Sequence, residues 1–136
     1  MTVQDTLQKL DTQEAAELMA ELYGEAGAAG NTERYRQVVK GFEKTYGDND
    51  ILLFSSPGRT EISGNHTDHN HGKVLAGSIN LDCVGAAAKN GTDTVRHLSE
   101  TSNQKFILSL NDVKPSAEMT GTIDLAKGTL QGFKEK

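Results

Sequence analysis

The sequence has few of the features that stabilise secreted or membrane proteins. Its only cysteine is Cys83, so no disulfide can form within the chain, which favours a reducing compartment such as the cytoplasm. It has no tryptophan, four phenylalanines and three tyrosines, which predicts a small aromatic core for 136 residues. No apolar run reaches the roughly 18 residues that a membrane helix needs, so no membrane partner is predicted. With 35% apolar and 24% charged residues, the composition is that of one globular domain.

The negative charge of the chain is confined to its N-terminal segment. Residues 1–50 carry ten acidic and five basic side chains, whereas residues 51–136 carry nine of each, so the net charge of −5 comes from the first segment. Neither segment has a basic patch interleaved with aromatic residues. A nucleic-acid partner is therefore not predicted.

The first segment has the spacing of two helices. From Asp5 to Tyr23 the apolar positions recur at helical intervals, and the glycine-rich segment 24–30 then breaks the pattern. Asn31 or Thr32 is expected to cap a second helix that ends at Gly47. The side chains that this helix should bury are Tyr35, Val38, Val39 and Phe42. The sequence therefore predicts a helical hairpin, which serves either as a supporting layer or as a docking module.

The rest of the chain has the pattern of short strands followed by a helix. Residues 51–54 are continuously apolar, as in a buried strand, and Asn90-Gly91 favours a type I′ hairpin. Further strand-like segments lie at residues 74–76, 81–88, 92–98 and 105–110. A final helix is expected over residues 123–133, with Thr122 or Asp124 as its cap. Helices, then a mainly antiparallel sheet, then a helix indicate an α+β fold.

A dense polar run separates two of these apolar segments. Residues 56–72 contain one arginine, three histidines, an aspartate, two asparagines and several glycines. A connecting loop needs glycine and asparagine for its backbone, but it does not need so many side-chain donors and acceptors. Such a density is typical of a pocket for a small polar ligand. The sequence therefore predicts a binding site in this run.

The same run resembles the first signature of galactokinases, which belong to the galactokinase/homoserine/mevalonate/phosphomevalonate kinase superfamily. That signature is roughly Pro-Gly-Arg-x-Asn-Leu-Ile-Gly-Glu-His-Thr-Asp-Tyr, followed by Asn-x-Gly. The matching residues are Pro57, Gly58, Arg59, Gly64, His66, Thr67, Asp68, Asn70 and Gly72. The departures are Glu61 for asparagine, Ser63 for isoleucine, Asn65 for glutamate and His69 for tyrosine. The likeness continues more loosely to Lys136.

The resemblance implies a fold and a domain division. Residues 49–136 are expected to form the N-terminal part of a sugar-kinase domain similar to ribosomal protein S5 domain 2, preceded by a helical segment over residues 1–48. The sequence contains neither a Gly-x-x-x-x-Gly-Lys-Ser/Thr segment nor a Gly-Leu-Ser-Ser-Ser segment. We therefore expect the chain to be a fragment of a longer ATP-dependent sugar 1-kinase, truncated before the phosphate loop and inactive by itself, or else a remnant paralogue.

The resemblance also implies roles for particular residues. Asn65, His66, Thr67 and Asp68 correspond to the galactose-binding positions, and Arg59 to the arginine that stabilises the transferred phosphoryl group. ATP with Mg²⁺ is the implied cofactor, held mainly by segments that this sequence does not contain. Because Asn65 replaces a carboxylate, the sugar is galactose first, with N-acetylgalactosamine, arabinose or another hexose as alternatives.

Other interpretations of the same residues stay open at this point. Arg59 could instead form an ion pair with Glu61 or with a C-terminal carboxylate, as a purely structural contact. The histidines between His66 and His71 have a spacing that could suit a metal, but no cysteine accompanies them. The parent protein could also be a catalytically silent galactose sensor, or the chain an inert structural fragment.

Overall fold

A computed structural model describes residues 1–64, 67–114 and 121–136, with the backbone alone at Asp68 and His69. The chain divides into two compact units, Met1–Lys89 and Asn90–Lys136. The first unit contains three helices and a two-stranded sheet, and the second contains another two-stranded sheet and a helix. The predicted α+β class is confirmed. The predicted domain boundary after residue 48 stays a prediction.

The first unit begins with two helices, α1 (Val3–Lys9) and α2 (Gln13–Tyr23), where the sequence predicted one. Thr2 caps α1: its hydroxyl accepts from the Asp5 amide at 3.1 Å, and the Asp5 carboxylate accepts from the Thr2 amide at 3.2 Å. Thr12 caps α2 in the same way, because its hydroxyl accepts from the amide of Ala15 at 3.3 Å. A second capping residue inside the apolar pattern therefore divides the helix.

The helix α3 (Glu25–Tyr46) begins earlier than the sequence indicated. Gly24, at φ +74°, ends α2 and precedes α3, so a single glycine makes the turn. The predicted cap at Asn31 or Thr32 is wrong: the side chains of both residues donate to backbone carbonyls one turn earlier in the helix, each at 3.0 Å. The predicted end at Gly47 is confirmed, with φ +79°.

The core of the first unit lies where the helices meet the start of the sheet. Tyr35 and Val39 are buried, as predicted, whereas Val38 is half-buried and Phe42 packs against the edge of the core. The buried members of the core are Val3, Leu10, Met19, Tyr35, Val39 and Ile51. Burial of these side chains against the sheet holds the helical layer in place.

The sheet of the first unit is a long antiparallel ribbon of β1 (Ile51–Ser63) and β2 (Leu75–Ala88). The predicted strands at residues 74–76 and 81–88 are parts of β2. The prediction of a fully buried strand at residues 51–54 is wrong, because Leu52 and Phe54 are 66% and 53% exposed. The helices cover one face of the ribbon, so alternate side chains of β1 lie on the other face.

The second unit contains β3 (Thr94–Ser99), β4 (Gln104–Ser109) and α4 (Thr122–Lys134). The predicted hairpin at Asn90-Gly91 is wrong, since β2 pairs with β1 and β3 pairs with β4 among the described strands. The Asn90 side chain instead accepts from the Thr92 amide at 3.0 Å and donates to the Thr94 carbonyl at 2.8 Å. The asparagine thus stabilises a local turn before β3.

The helix α4 confirms the predicted C-terminal helix but not its cap. Gly121 precedes the helix without a side-chain cap, and the Thr122 hydroxyl donates to the Gln104 side chain at 3.0 Å. Leu125 and Phe133, on the predicted apolar side, are 73% and 76% exposed. Within the described ranges of the chain, none of the helices is long and apolar enough to span a membrane.

Candidate functional site

The polar run extends from β1 into the connection over residues 64–74, which returns the chain to β2 and is called the turn below. A short 3-10 helix, Thr67–Asn70, forms part of this turn. The Thr67 amide donates to the Gly64 carbonyl at 3.0 Å, and the Gly72 amide donates to the Thr67 carbonyl at 2.8 Å. Backbone hydrogen bonds on both sides of Thr67 therefore set the position of this residue at the end of the ribbon.

Two glycines make the turn possible. Gly64 has φ +106°, and a Cβ at this position would lie 2.5 Å from the Lys73 carbonyl oxygen. A Cβ at Gly72 would overlap the side chain of Thr67. Any larger residue at Gly64 would meet both backbone strain and a clash with backbone. The glycines that the sequence pattern singled out thus have a geometric reason to be there.

Arg59 lies in β1 directly opposite Ser78 of β2. Its side chain is 66% exposed, and its Nη2 atom lies 4.0 Å from Oε1 of Glu61. At this distance and exposure, an ion pair contributes little to stability. The structural interpretation, in which Arg59 serves Glu61, therefore has weak support from the contact itself.

The remaining predicted site residues are only partly described. Thr67 is placed by the turn, and the backbone of Asp68 lies in the same 3-10 helix. The side chain of Asp68 lies outside the described part of the structure, as do Asn65 and His66 altogether. The roles assigned to Asn65, His66, Thr67, Asp68 and Arg59 stay predictions.

A partly buried polar cluster around Asp82 in the first unit was not predicted from the sequence. The Asp82 side chain is 4% exposed and accepts hydrogen bonds from Tyr23 at 2.6 Å, from the Ser55 hydroxyl and from the Arg34 guanidinium. The Tyr23 and Tyr35 hydroxyls lie 3.0 Å apart. We call these five residues the Asp82 cluster. It joins α2 and α3 to both strands of the ribbon.

The cluster holds Asp82 in its charged form. Burial alone would raise the pKa of this carboxyl, but hydrogen bonds from Ser55, Tyr23 and Arg34 lower the pKa to about 2. Burial and the hydrogen bond to Asp82 raise the pKa of Tyr23, which therefore stays a hydrogen-bond donor. The carboxylate is thus ionised, paired and fully engaged at neutral pH.

One signal in the sequence could have pointed to this cluster. Asp82 is the one polar residue in the otherwise apolar stretch of residues 81–88, and a buried carboxylate needs a cationic or hydrogen-bonding partner. Its partner Arg34 is 48 positions away in a helix, however, so spacing alone could not have identified the pair.

Two cavities of the first unit lie elsewhere. One, of about 620 Å³, is lined by Met1, residues 49–52 and residues 87–89. The other, of about 280 Å³, lies between the helical hairpin and residues 53–55. Neither is lined by Arg59 or by a described residue of the turn. Among the side chains that the structure describes, no three of His, Cys, Asp or Glu come together as a metal site; the side chains of His66, Asp68 and His69 lie outside that set.

Comparison with known proteins gives one family model and several relatives. The galactokinase galactose-binding signature matches residues 40–89, which hold the end of α3, the whole of β1, the turn and β2. A galactokinase of Candida parapsilosis is 36% identical over 74 residues, or 54% of this chain. A galactokinase of Streptococcus suis is 34% identical over 107 residues, or 77% of this chain.

The similarity covers only part of each relative. The matched regions span 14% of the Candida parapsilosis protein, 26% of the Streptococcus suis protein and 36% of a galactokinase from Candida maltosa, which is 33% identical over 78 residues. No solved structure matches the chain, so the likeness to ribosomal protein S5 domain 2 stays a prediction. The predicted resemblance itself is confirmed: this chain carries the galactokinase galactose-binding signature over residues 40–89 and is similar to these galactokinases over 54% to 77% of its length.

Proposed function

We propose that this chain is the sugar-holding part of a galactokinase-like enzyme that transfers a phosphoryl group from ATP to the anomeric hydroxyl of galactose. The observation that carries the proposal is the position of the matched signature. Its residues 40–89 coincide with the ribbon and the glycine-dependent turn, where the polar side chains are concentrated. A cytoplasmic location is part of the proposal, supported by the single cysteine.

The turn has suitable chemistry for a sugar. Vicinal hydroxyls of a hexose each donate and accept hydrogen bonds, and an ionised Asp68 would accept from two of them. The amide of Asn65 and the imidazole of His66 would supply complementary donors. Gly64 lets the backbone turn sharply before these residues, with Thr67 fixed by its two backbone hydrogen bonds. Consecutive polar residues that contact several hydroxyls together would hold the sugar in one orientation.

Arg59 would act on the phosphoryl group. Its guanidinium is mostly exposed and has only a distant contact with Glu61, so it could reach phosphate oxygens without breaking a strong ion pair. A guanidinium can donate two parallel hydrogen bonds to such oxygens, which would stabilise charge in the transition state. The role of Arg59 in the proposal is therefore electrostatic.

The described residues do not fit a nucleotide site. The most glycine-rich segment, residues 24–30, could resemble a phosphate loop by composition. From Glu25 onward, however, it is the first turns of α3, and the amides of Gly27 and Ala28 donate to the Gly24 carbonyl, each at 3.0 Å. ATP and Mg²⁺ would therefore bind to other segments of the enzyme.

Two measurements on the 136-residue protein test the proposal. A galactose titration followed by NMR should show saturable shifts at Thr67 and its neighbours, with glucose as the control that differs at one hydroxyl. ADP release from ATP plus galactose should stay at the background rate. Absence of any galactose-dependent shift would contradict the sugar site. Clear turnover would show that the catalytic groups lie within this chain.

A second function, sugar sensing without phosphoryl transfer, is compatible with the same signature. A longer protein that contains this chain and binds galactose without releasing ADP would be a sugar sensor rather than a kinase. Assaying that protein for both binding and ADP release separates the two, because both functions need the turn and only the kinase needs phosphoryl transfer.

A further inference from the structure

The ribbon changes register immediately before Arg59. Pro57 lies opposite Asp82 and Arg59 lies opposite Ser78, so β1 advances two residues where β2 advances four. Pro57 has no amide hydrogen and cannot donate to the ladder at this point. The extra residues of β2 form a bulge, and a bulge re-aims the side chains that follow it. The position of the Arg59 side chain therefore depends on the position of this bulge along the two strands.

The bulge itself is tightly packed. A Cβ at Gly58 would lie 3.1 Å from the Leu81 carbonyl oxygen and 3.2 Å from the side chain of Ile79. The two strands thus approach closely between Pro57 and Arg59. Such an approach constrains the local geometry but does not choose between neighbouring registers, since it contains no directional side-chain contact.

Ser55 and Asp82, two members of the Asp82 cluster, make a directional side-chain contact between the strands. Ser55 lies opposite Val84, two residues before Pro57, and its hydroxyl donates diagonally across the ribbon to the Asp82 carboxylate. Asp82 is in turn fixed to the helical layer by Tyr23 and Arg34. The bond between the strands therefore lies at the residue where the ladder is interrupted, and it is anchored outside the ribbon.

We infer that the Asp82 cluster is a positioning device for the site: Ser55 and Asp82 fix the register ahead of the bulge and thereby place Arg59 and the sugar-binding turn. The link to the sugar rests on the proposed function. A shift of the bulge would move Arg59 relative to Ser78 and would also move the end of the ribbon that carries Thr67. Binding and catalytic groups tolerate displacements of only about 0.5 Å.

The test uses three variants of the whole 136-residue chain. Ser55→Ala removes the hydroxyl that crosses the ribbon while leaving the contacts of Asp82 with Tyr23 and Arg34. Ser55→Thr keeps a hydroxyl and is the conservative rescue. Ser56→Ala is the matched control, because Ser56 lies next to Ser55 on the opposite face of β1 and faces Cys83 in the register. Each variant is assayed for the NMR cross-strand contact between Arg59 and Ser78 and for galactose affinity.

We expect Ser55→Ala to weaken or lose the Arg59–Ser78 contact and to weaken galactose binding about tenfold, which corresponds to about 1.4 kcal/mol. Ser55→Thr should restore both, and Ser56→Ala should change neither. A Ser55→Ala protein that melts at a lower temperature but keeps the contact and the affinity would overturn the inference. Loss of the contact with unchanged affinity would overturn its link to the site.

Failure of the proposed function would give a different result from failure of the inference about the register. If the wild-type chain binds no galactose, the sugar site is refuted, whereas the Arg59–Ser78 contact in Ser55→Ala still decides whether the cluster sets the register. A contact retained in that variant would then overturn the inference on its own.

Discussion

The Asp82 carboxylate should stabilise the first unit through its charge. Replacing Asp82 with asparagine keeps its size but removes the charge to which Arg34, Tyr23 and Ser55 donate. The fall in the Asp82 pKa from 3.8 to about 2 corresponds to about 2 kcal/mol of stability at neutral pH. Leaving the Arg34 guanidinium without its carboxylate adds to the loss. We therefore expect Asp82→Asn to lower the free energy of unfolding by about 3 kcal/mol at pH 7.

The stabilisation that Asp82 contributes should decrease as the pH falls. Because the folded pKa of Asp82 lies below its unfolded value, its stabilisation is present above about pH 4 and is lost as the pH falls towards 2. The difference in unfolding free energy between wild type and Asp82→Asn should therefore be smaller at pH 3 than at pH 7, by about 1 kcal/mol. This difference in unfolding free energy becomes smaller because the wild-type carboxyl is increasingly protonated at low pH.

Urea unfolding followed by tyrosine fluorescence is the appropriate assay. The chain has no tryptophan, and its three tyrosines, Tyr23, Tyr35 and Tyr46, all lie in the first unit, so the signal reports that unit. The control is Glu14→Gln, which removes a carboxylate that is 80% exposed and lies 3.8 Å from Lys9. This control should cost less than about 1 kcal/mol. An Asp82→Asn protein as stable as the control variant, or a difference that is equal at both pH values, would refute the reasoning.

Three further predictions concern the site. In the enzyme that contains this segment, Arg59→Ala should lower kcat by about 10²–10³ with little change in the sugar KM, as steady-state kinetics would show; an unchanged kcat would leave Arg59 a structural residue. Asp68→Asn should weaken galactose binding by about 1.5–3 kcal/mol for each charged hydrogen bond lost, with unchanged circular dichroism; calorimetry that finds wild-type affinity would remove Asp68 from the site. Gly64→Ala should destabilise the turn by about 2 kcal/mol or more, seen as faster amide exchange at Thr67, because of its φ of +106° and the clash with Lys73. Gly85→Ala, where an added Cβ meets nothing within 4 Å, is its control, and equal exchange in both would contradict the steric argument.

Local signals in the sequence predicted most of the helices and strands but not all of the residues at which they begin, end or divide. Gly47 ends a helix as expected, since a glycine after a helical pattern readily adopts positive φ. The segment 24–30 misled because it contains three glycines of which only Gly24 makes the turn. The others lie in a helix whose packing against the core outweighs their poor intrinsic propensity. Tertiary packing of this kind is not visible in a local pattern.

The residues of the first unit's polar sites likewise fall into a set that the sequence could predict and a set that it could not. The polar run and its glycines could be identified from the sequence, because residue type and φ requirements are local properties. The Asp82 cluster could not, because it joins residues from two helices and two strands that are up to 59 positions apart. A charge inside an apolar strand indicates that a partner exists, but it does not say which side chain provides it.

The ribbon of the first unit has a consequence for the behaviour of the chain in solution. Every strand that the structure describes lies at the edge of a two-stranded sheet, so each exposes backbone amides and carbonyls along one side. On the ribbon face away from the helices, Leu52 and Phe54 are more than half exposed. Unpaired backbone beside exposed apolar side chains is the combination by which two chains pair edge to edge. Self-association at high concentration should therefore limit the conditions under which this chain can be studied, and acidic buffers that weaken the net charge of −5 should make it worse.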